Sequence, residues 1–235
     1  MLAVLSAAIL FLPGCQSVTG SPNLSQIRIV DTSPDAGGLD VYQGTGALAY
    51  NLGLGTITSY VPTTPGSYGI NVNNAGTHQQ VVTASGTFVT GAQYTVLIGN
   101  YSNTLQEIIL KDQSQPAPAG QFSVRIIAQS TRAGAVDLYL VPTGSTITQV
   151  HPILTNVIFS QNTGYINIAT GVYTLIAVPT GTVPTTASGT SYTGSAVTYT
   201  SGTARTIVLI DQQLGTTPGL QVIFANDFDP VGASS

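Results

Sequence analysis

Residues Ile27–Tyr42 read IRIVDTSPDAGGLDVY, and residues Val124–Tyr139 read VRIIAQSTRAGAVDLY. The two segments align without a gap at an offset of 97. In each, apolar residues alternate with other residues, as Ile27 and Ile29 do in the first and Val124 and Ile126 in the second. A turn-forming cluster follows, then a second run ending in tyrosine. Alternation of this kind places one face of a strand in a core, and Ser, Pro, Asp and Gly between such runs mark the connection. The stretch therefore reads strand–turn–strand, twice in one chain.

Working outward, the correspondence continues. Pro65–Tyr68 matches Thr170–Tyr173 at an offset of 105, Gly91–Ile98 matches Gly202–Leu209 at 111, and Leu105–Asp112 matches Leu220–Asp227 at 115. The offset grows in steps, so the second copy carries insertions between matched segments, where loops tolerate them. The chain divides into a leader (1–15), a polar tether (16–25), a first domain (26–112), a Pro-containing linker (113–120), a second domain (121–230) and a tail (231–235). In the first copy, strands are expected near 26–31, 39–43, 57–61, 67–73, 79–89, 93–99 and 105–112. In the second they fall near 122–129, 136–141, 153–158, 163–169, 171–179, 194–200, 204–211 and 220–227. No stretch of a dozen residues carries helical periodicity. The expected fold is all-β, two tandem immunoglobulin-like antiparallel β-sandwiches. Ile27, Ile29, Tyr68, Val96 and Ile98 are the expected core of the first, and Val124, Ile126, Tyr173, Ile207 and Leu209 of the second.

Composition limits the partners. Charged residues are 6% of the chain, with 5 basic and 9 acidic side chains, against about 25% in an ordinary soluble domain. Five dispersed cations cannot neutralise a phosphate backbone, so nucleic acid is not an expected partner. A hydrophobic content of 43% at such low charge also excludes disorder.

The first twelve residues, MLAVLSAAILFL, form an apolar run that suits a secretory signal and is too short to span a bilayer. Leu12-Pro13-Gly14-Cys15 follows, and Cys15 is the only cysteine. The segment resembles the lipobox of bacterial lipoproteins. It departs from that pattern in its proline and in lacking a basic residue ahead of the apolar run. The resemblance implies acylation of Cys15, a lipid-bilayer anchor and a cell-envelope location. The hallmark segment of the first copy, with the Gly-x-Tyr segment after it, resembles the DUF4397 domain, a family of unknown function in bacterial secreted proteins and lipoproteins. The second copy resembles it less closely, with Thr131 and Arg132 where the pattern has Pro and Asp. The family's histidine is replaced by Asp31 and by Ala128. The resemblance implies an exported tandem β-sandwich and supplies no reaction.

Residue chemistry points the same way. His78 and His151 lie in expected loops and do not recur between copies. No Cys/His spacing suits zinc and no glycine-rich phosphate loop precedes a helix, so no catalytic residue, metal or cofactor is assigned. Asp31, Asp35 and Asp40 could ligate calcium, but Asp31, Ser33, Pro34 and Asp35 read better as a structural turn. Arg28 and Asp40 are 12 residues apart, as are Arg125 and Asp137, and the repetition predicts a structural ion pair across the first two strands of each domain. Tyr68 and Tyr173 recur inside strands and are expected to be structural. Tyr50, Tyr60, Tyr101, Tyr165, Tyr192 and Tyr199 are freer, and grouped on a surface they would suit sugar stacking. The expected function is non-enzymatic: an anchored structural, adhesion or protein-interaction module of the cell envelope. A glycan- or peptidoglycan-binding module is the alternative, and a hydrolase the remote one.

Overall fold

The computed structural model describes residues 23–185, 189–212 and 219–230. The expected leader, its Cys15 and the tail lie outside the described residues. The chain forms two β-sandwich domains of the same topology. The first contains β1 (Ser25–Asp31), β2 (Leu39–Gln43), β3 (Gly46–Leu52), β4 (Val61–Thr63), β5 (Gly66–Asn74), β6 (Gln80–Phe88), β7 (Gln93–Gly99) and β8 (Gln106–Lys111). The second contains β9 (Gln121–Ala128), β10 (Val136–Pro142), β11 (Leu154–Val157), β12 (Asn162–Ala169), β13 (Gly171–Pro179), β14 (Tyr192–Tyr199), β15 (Ala204–Asp211) and β16 (Leu220–Phe228).

Sheet order is β4-β1-β7-β8 over β3-β2-β5-β6 in the first domain, and β12-β9-β15-β16 over β11-β10-β13-β14 in the second. Pairing is antiparallel except between β1 and β7 and between β9 and β15, which run parallel. Parallel neighbours cannot be joined by a hairpin, and here the whole intervening sandwich is the crossover.

Two differences from the sequence reading have local causes. Gly46–Leu52, poor in β-branched residues, was not an expected strand. It forms because the Gly44-Thr45 turn, with Gly44 at φ 58°, returns the chain against β2 with Gln43 opposite Gly46. Conversely, the run 57–61 does not form a continuous strand. Thr58 Oγ1 accepts the N–H of Ile29, and Ile57 makes one isolated bridge to Val30, so pairing with β1 resumes only at Val61.

Each domain has its own core. Ile27, Ile29, Val96 and Ile98 are buried in the first, with Tyr68 partly buried against them. Val124, Ile126, Ile207 and Leu209 are buried in the second, with Tyr173 partly buried. The Gly-x-Tyr motif has a steric explanation. Tyr68 and Tyr173 fold back so that a Cβ built on Gly66 would lie 2.6 Å from the Tyr68 Oη, and one on Gly171 would lie 2.9 Å from the Tyr173 ring. Their hydroxyls donate to the carbonyls of Pro65 (3.1 Å) and Ala169 (3.0 Å), fixing the entry into β5 and β13.

A third apolar cluster lies between the domains. Leu97 of β7, Ile127 of β9, and Val208 and Ile210 of β15 are buried together, with Leu54, Leu110 and Ile223 against them. These residues occupy the faces turned away from each domain's own core. Strands β1, β7, β9 and β15 are consequently buried along nearly their whole length, on both faces.

Candidate functional site

At the seam between domains, eight side chains form two interlocked sets. Arg28 Nε donates to Thr95 Oγ1 (2.9 Å), and Arg125 Nε donates to Thr206 Oγ1 (3.0 Å). Thr95 in turn donates to Asp112 (2.7 Å), and Thr206 to Asp227 (2.7 Å). The hydroxyls of Tyr60 and Tyr165 donate to Asp112 (2.8 Å) and Asp227 (2.7 Å). The guanidiniums of Arg28 and Arg125 lie 4.8 and 4.9 Å from the ring centroids of Tyr60 and Tyr165, within cation–π range.

The arginines then cross over. Arg28 of the first domain pairs with Asp227 of the second, and its Nη1 donates to the Asn226 carbonyl (2.8 Å). Arg125 of the second domain pairs with Asp112 at the end of the first, at 2.6 Å. Arg28 also lies 3.7 Å from Asp112, linking the sets. Burial alone would lower the Arg28 pKa, but the Asp227 and Asp112 charges outweigh it and raise the value. Both tyrosine hydroxyls are pushed well up, chiefly by burial, so they remain donors.

These contacts correct the expected ion pairs. Arg28 does not pair with Asp40, nor Arg125 with Asp137. The arginines face the seam, whereas the aspartates hold loops at the other sheet. Asp40 accepts backbone N–H groups from Asn51 (2.8 Å) and Gly76 (3.1 Å). Asp137 accepts the Asn156 N–H (2.8 Å) and the Thr180 hydroxyl (2.8 Å). The positive φ of Asn51 (47°) and Asn156 (55°) marks the matching bends.

The turn residues also have partners. Asp31 Oδ1 accepts the Ser33 N–H (2.9 Å), and Asp35 accepts the Ser102 N–H (2.7 Å). Pro34 lies beside Ser33 in a cavity wall shared with Leu54 and Gln221. In the second copy the polarity of this loop staple is reversed. Asp211 at the end of β15 accepts from the Ser130 hydroxyl (2.6 Å), the Thr131 hydroxyl (2.6 Å) and the Arg132 N–H (3.1 Å). The Arg132 side chain lies 3.6 Å from the same carboxylate. Burial would raise the Asp211 pKa, but these hydrogen bonds hold it below the usual range. In the second copy the acid of the staple is thus supplied by the end of β15 and not by the turn itself.

Two buried carboxylates stand apart. Asp31 is raised to about 7 by burial, against the opposing Ser33 N–H. Glu107 is raised to about 8 by burial, which the Ala84 backbone offsets only in part. For Glu107 the folded value lies above the ordinary 4.5, so the unfolded chain releases its proton first. Its stabilising contribution is complete below about pH 4.5 and is lost as pH rises towards 8. Glu107→Gln is expected to flatten that fall and to gain about 1 kcal/mol at pH 9. Equal slopes for the two proteins in urea titrations at several pH values would refute it.

The second feature is an open face. On the outer side of the β3-β2-β5-β6 sheet, Tyr42, Gly44, Thr45, Asn71, Asn73, His78 and Gln80 line a cavity of about 360 Å³. Tyr50, 66% exposed, meets the Tyr42 ring edge-on with centroids 5.9 Å apart and an interplanar angle of 85°. Among the described residues, no group of three or more His, Cys, Asp or Glu is placed to hold a metal ion, and no helix is long and apolar enough to cross a membrane.

Residues 25–139 match the family model of Domain of unknown function (DUF4397). The DUF4397 match takes in the whole first sandwich, the linker and β9, and it ends at Tyr139, where the second hallmark ends. No curated protein matches the chain. Among solved structures, the chain is similar to one described as alpha-glucan binding by a streptococcal virulence factor. The two share 11% identity, with 66% of this chain and 80% of that chain covered and a TM-score of 0.26. It is also similar to a family CBM26 module of Eubacterium rectale Amy13K in complex with maltoheptaose. There the identity is 13%, with 88% and 98% covered and a TM-score of 0.23. Neither likeness bears on function at such scores.

Proposed function

We propose that this chain is an exported, lipid-anchored, non-catalytic binding module of the bacterial cell envelope, presenting its two sandwiches as one body. The observation that carries the reading is the commitment of its few charges to architecture. Seven of the nine acidic side chains tie a loop or couple the domains: Asp31, Asp35, Asp40, Asp112, Asp137, Asp211 and Asp227. Arg28 and Arg125 are held in the same way. Acid–base catalysis requires a titratable group within hydrogen-bond reach of a substrate, and these groups are engaged by loop N–H groups and hydroxyls or, at the seam, by each other. What remains outward is low in charge, with Lys111 and Asp229 among the exposed ions, which suits recognition of a neutral partner.

The test is retention of the purified chain on whole cells and isolated walls of its bacterium. Saturable retention supports the module, and no retention on either overturns it. Anchoring is read separately by fractionation: Cys15→Ala is expected to move the protein from the membrane to the soluble fraction, and unchanged partition would refute acylation.

A further inference from the structure

The two domains carry the same sheet with opposite outer faces. In the second, Tyr139 stands opposite Ile176, and Asp137 opposite Val178. In the first, Tyr42 stands opposite Asn71, and Asp40 opposite Asn73. The register makes Ile176 and Asn71 equivalent, and likewise Val178 and Asn73. The tyrosine is kept while its two neighbours change from aliphatic to amide.

The connection after the second strand differs in the same sense. In the second domain, residues 143–153 join β10 to β11 and include a short 3-10 helix, Ile147–Gln149. Ile147 and Val150 fold over Tyr139, Val141, Ile176 and Val178, burying Tyr139 to 5% exposure. In the first domain the Gly44-Thr45 turn is too short to fold back, and the face stays open over its cavity. One copy thus covers its apolar face with its own chain, whereas the other has a polar face and no cover.

We infer that the outer face of the β3-β2-β5-β6 sheet, centred on Tyr42, Asn71 and Asn73, is a binding site for a neutral oligosaccharide. The inference rests on the binding-module reading and names its ligand class and site. The chemistry of the lining selects the class. No Lys, Arg, Asp or Glu is among the lining residues, so neither an anion nor a cation finds a counter-charge. The nearby Asp40 carboxylate is already held by two backbone N–H groups. No large aliphatic side chain lines the cavity, so an apolar peptide finds no anchor. What the lining offers is the Tyr42 ring, braced edge-to-face by Tyr50 from outside the cavity, beside three amides. Aromatic rings take the C–H face of a sugar, and amides pair with its hydroxyls. Asn71 presents its amide on this face, held by a 2.8 Å contact with the Thr83 hydroxyl. A volume of about 360 Å³ lies within the usual range of about 300–1,000 Å³ for small-molecule sites.

The test uses the full chain, with maltohexaose, cellohexaose and chitohexaose as probes in calorimetry up to millimolar concentration. Binding of at least one is expected, with a loss of tenfold or more in Tyr42→Ala and in Asn73→Val. Asn73→Val copies the residue at the equivalent register of the second domain, so the strand accommodates it, and an unchanged melting temperature confirms the fold. If none of the three binds while bacterial walls still retain the chain, the site inference fails and the module reading stands. If a probe binds equally to both variants, the site is elsewhere and the inference is again overturned. If neither walls nor probes bind, both readings fall.

Discussion

Replacing Arg28 with Met is expected to cost about 3–5 kcal/mol in a denaturant titration, the usual effect of leaving a buried charge without its partner. The substitution keeps most of the side-chain volume but strips Asp227 of its counter-ion. Asp227 would retain the hydroxyls of Thr206 and Tyr165, which do not neutralise a carboxylate already raised by burial. Arg125→Met should act in the same way through Asp112. The two effects should not add, because Arg28 also approaches Asp112 and the two sets share that contact. Arg28→Met with Asp227→Leu should cost clearly less than Arg28→Met alone, because the uncompensated charge is removed together with its partner. Asp40→Asn serves as the contrast. It lies outside the seam and should leave the coupling of the domains intact. If Asp40→Asn costs as much as Arg28→Met, and the double variant recovers nothing, the assignment of partners is wrong.

Gly66→Ala is expected to cost about 2 kcal/mol, at the level of an overpacked core. The added methyl would meet Tyr68 Oη at 2.6 Å and ring carbons at 2.8 and 2.9 Å. The ring must swing away, giving up its bond to the Pro65 carbonyl and its stack on Phe88, whose centroid lies 6.4 Å away. Gly171→Ala should do the same through Tyr173, at slightly looser distances of 2.9–3.2 Å. The check is a cycle with Tyr68→Leu. Gly66 also sits at φ 154°, where an L side chain is strained, so once the hydroxyl and ring are gone Gly66→Ala should lose only the part of its cost that comes from the clash. An undiminished cost in the Leu background would mean that the backbone at Gly66, and not the tyrosine, excludes a side chain.

Local patterning made most strands legible, because alternation and turn chemistry are written within ten residues. The expected runs 39–43, 93–99, 171–179 and 204–211 coincide with β2, β7, β13 and β15. β3 was not legible, since GALAYNL has no β-branched residue and is held by its hairpin partner and not by propensity. The seam is present in the repeat, but the repeat alone does not say that its members meet. Arg28 and Arg125 recur at 97, Tyr60 and Tyr165 at 105, Thr95 and Thr206 at 111, and Asp112 and Asp227 at 115. Every member of the cluster is therefore a repeated residue. The aspartate nearest in sequence, Asp40, was the misleading partner, because a strand's alternation says which residues share a face but not what that face meets. Tyr60 and Tyr165 are indistinguishable from the other unassigned tyrosines in the sequence for the same reason. The open face was still less legible: it emerges only when Tyr42 and Tyr139 are compared in register and the short turn is set beside the longer insertion.

The crossed arginines bear on how the chain can be made and how it can evolve. Asp227, needed by Arg28, is synthesised 199 residues later, so the first domain leaves the ribosome with a buried-type cation and Leu97 and Leu110 uncovered. Such a half is exposed to aggregation until its sister arrives, which favours delivery of the whole chain before folding. A duplication usually leaves two independent copies, either of which can be lost. Here each half gives its closer counter-charge to the other, so deletion of either copy strips the survivor's arginine of its crossed partner and bares an apolar sheet face. Loss of either repeat should therefore lower the stability of the other.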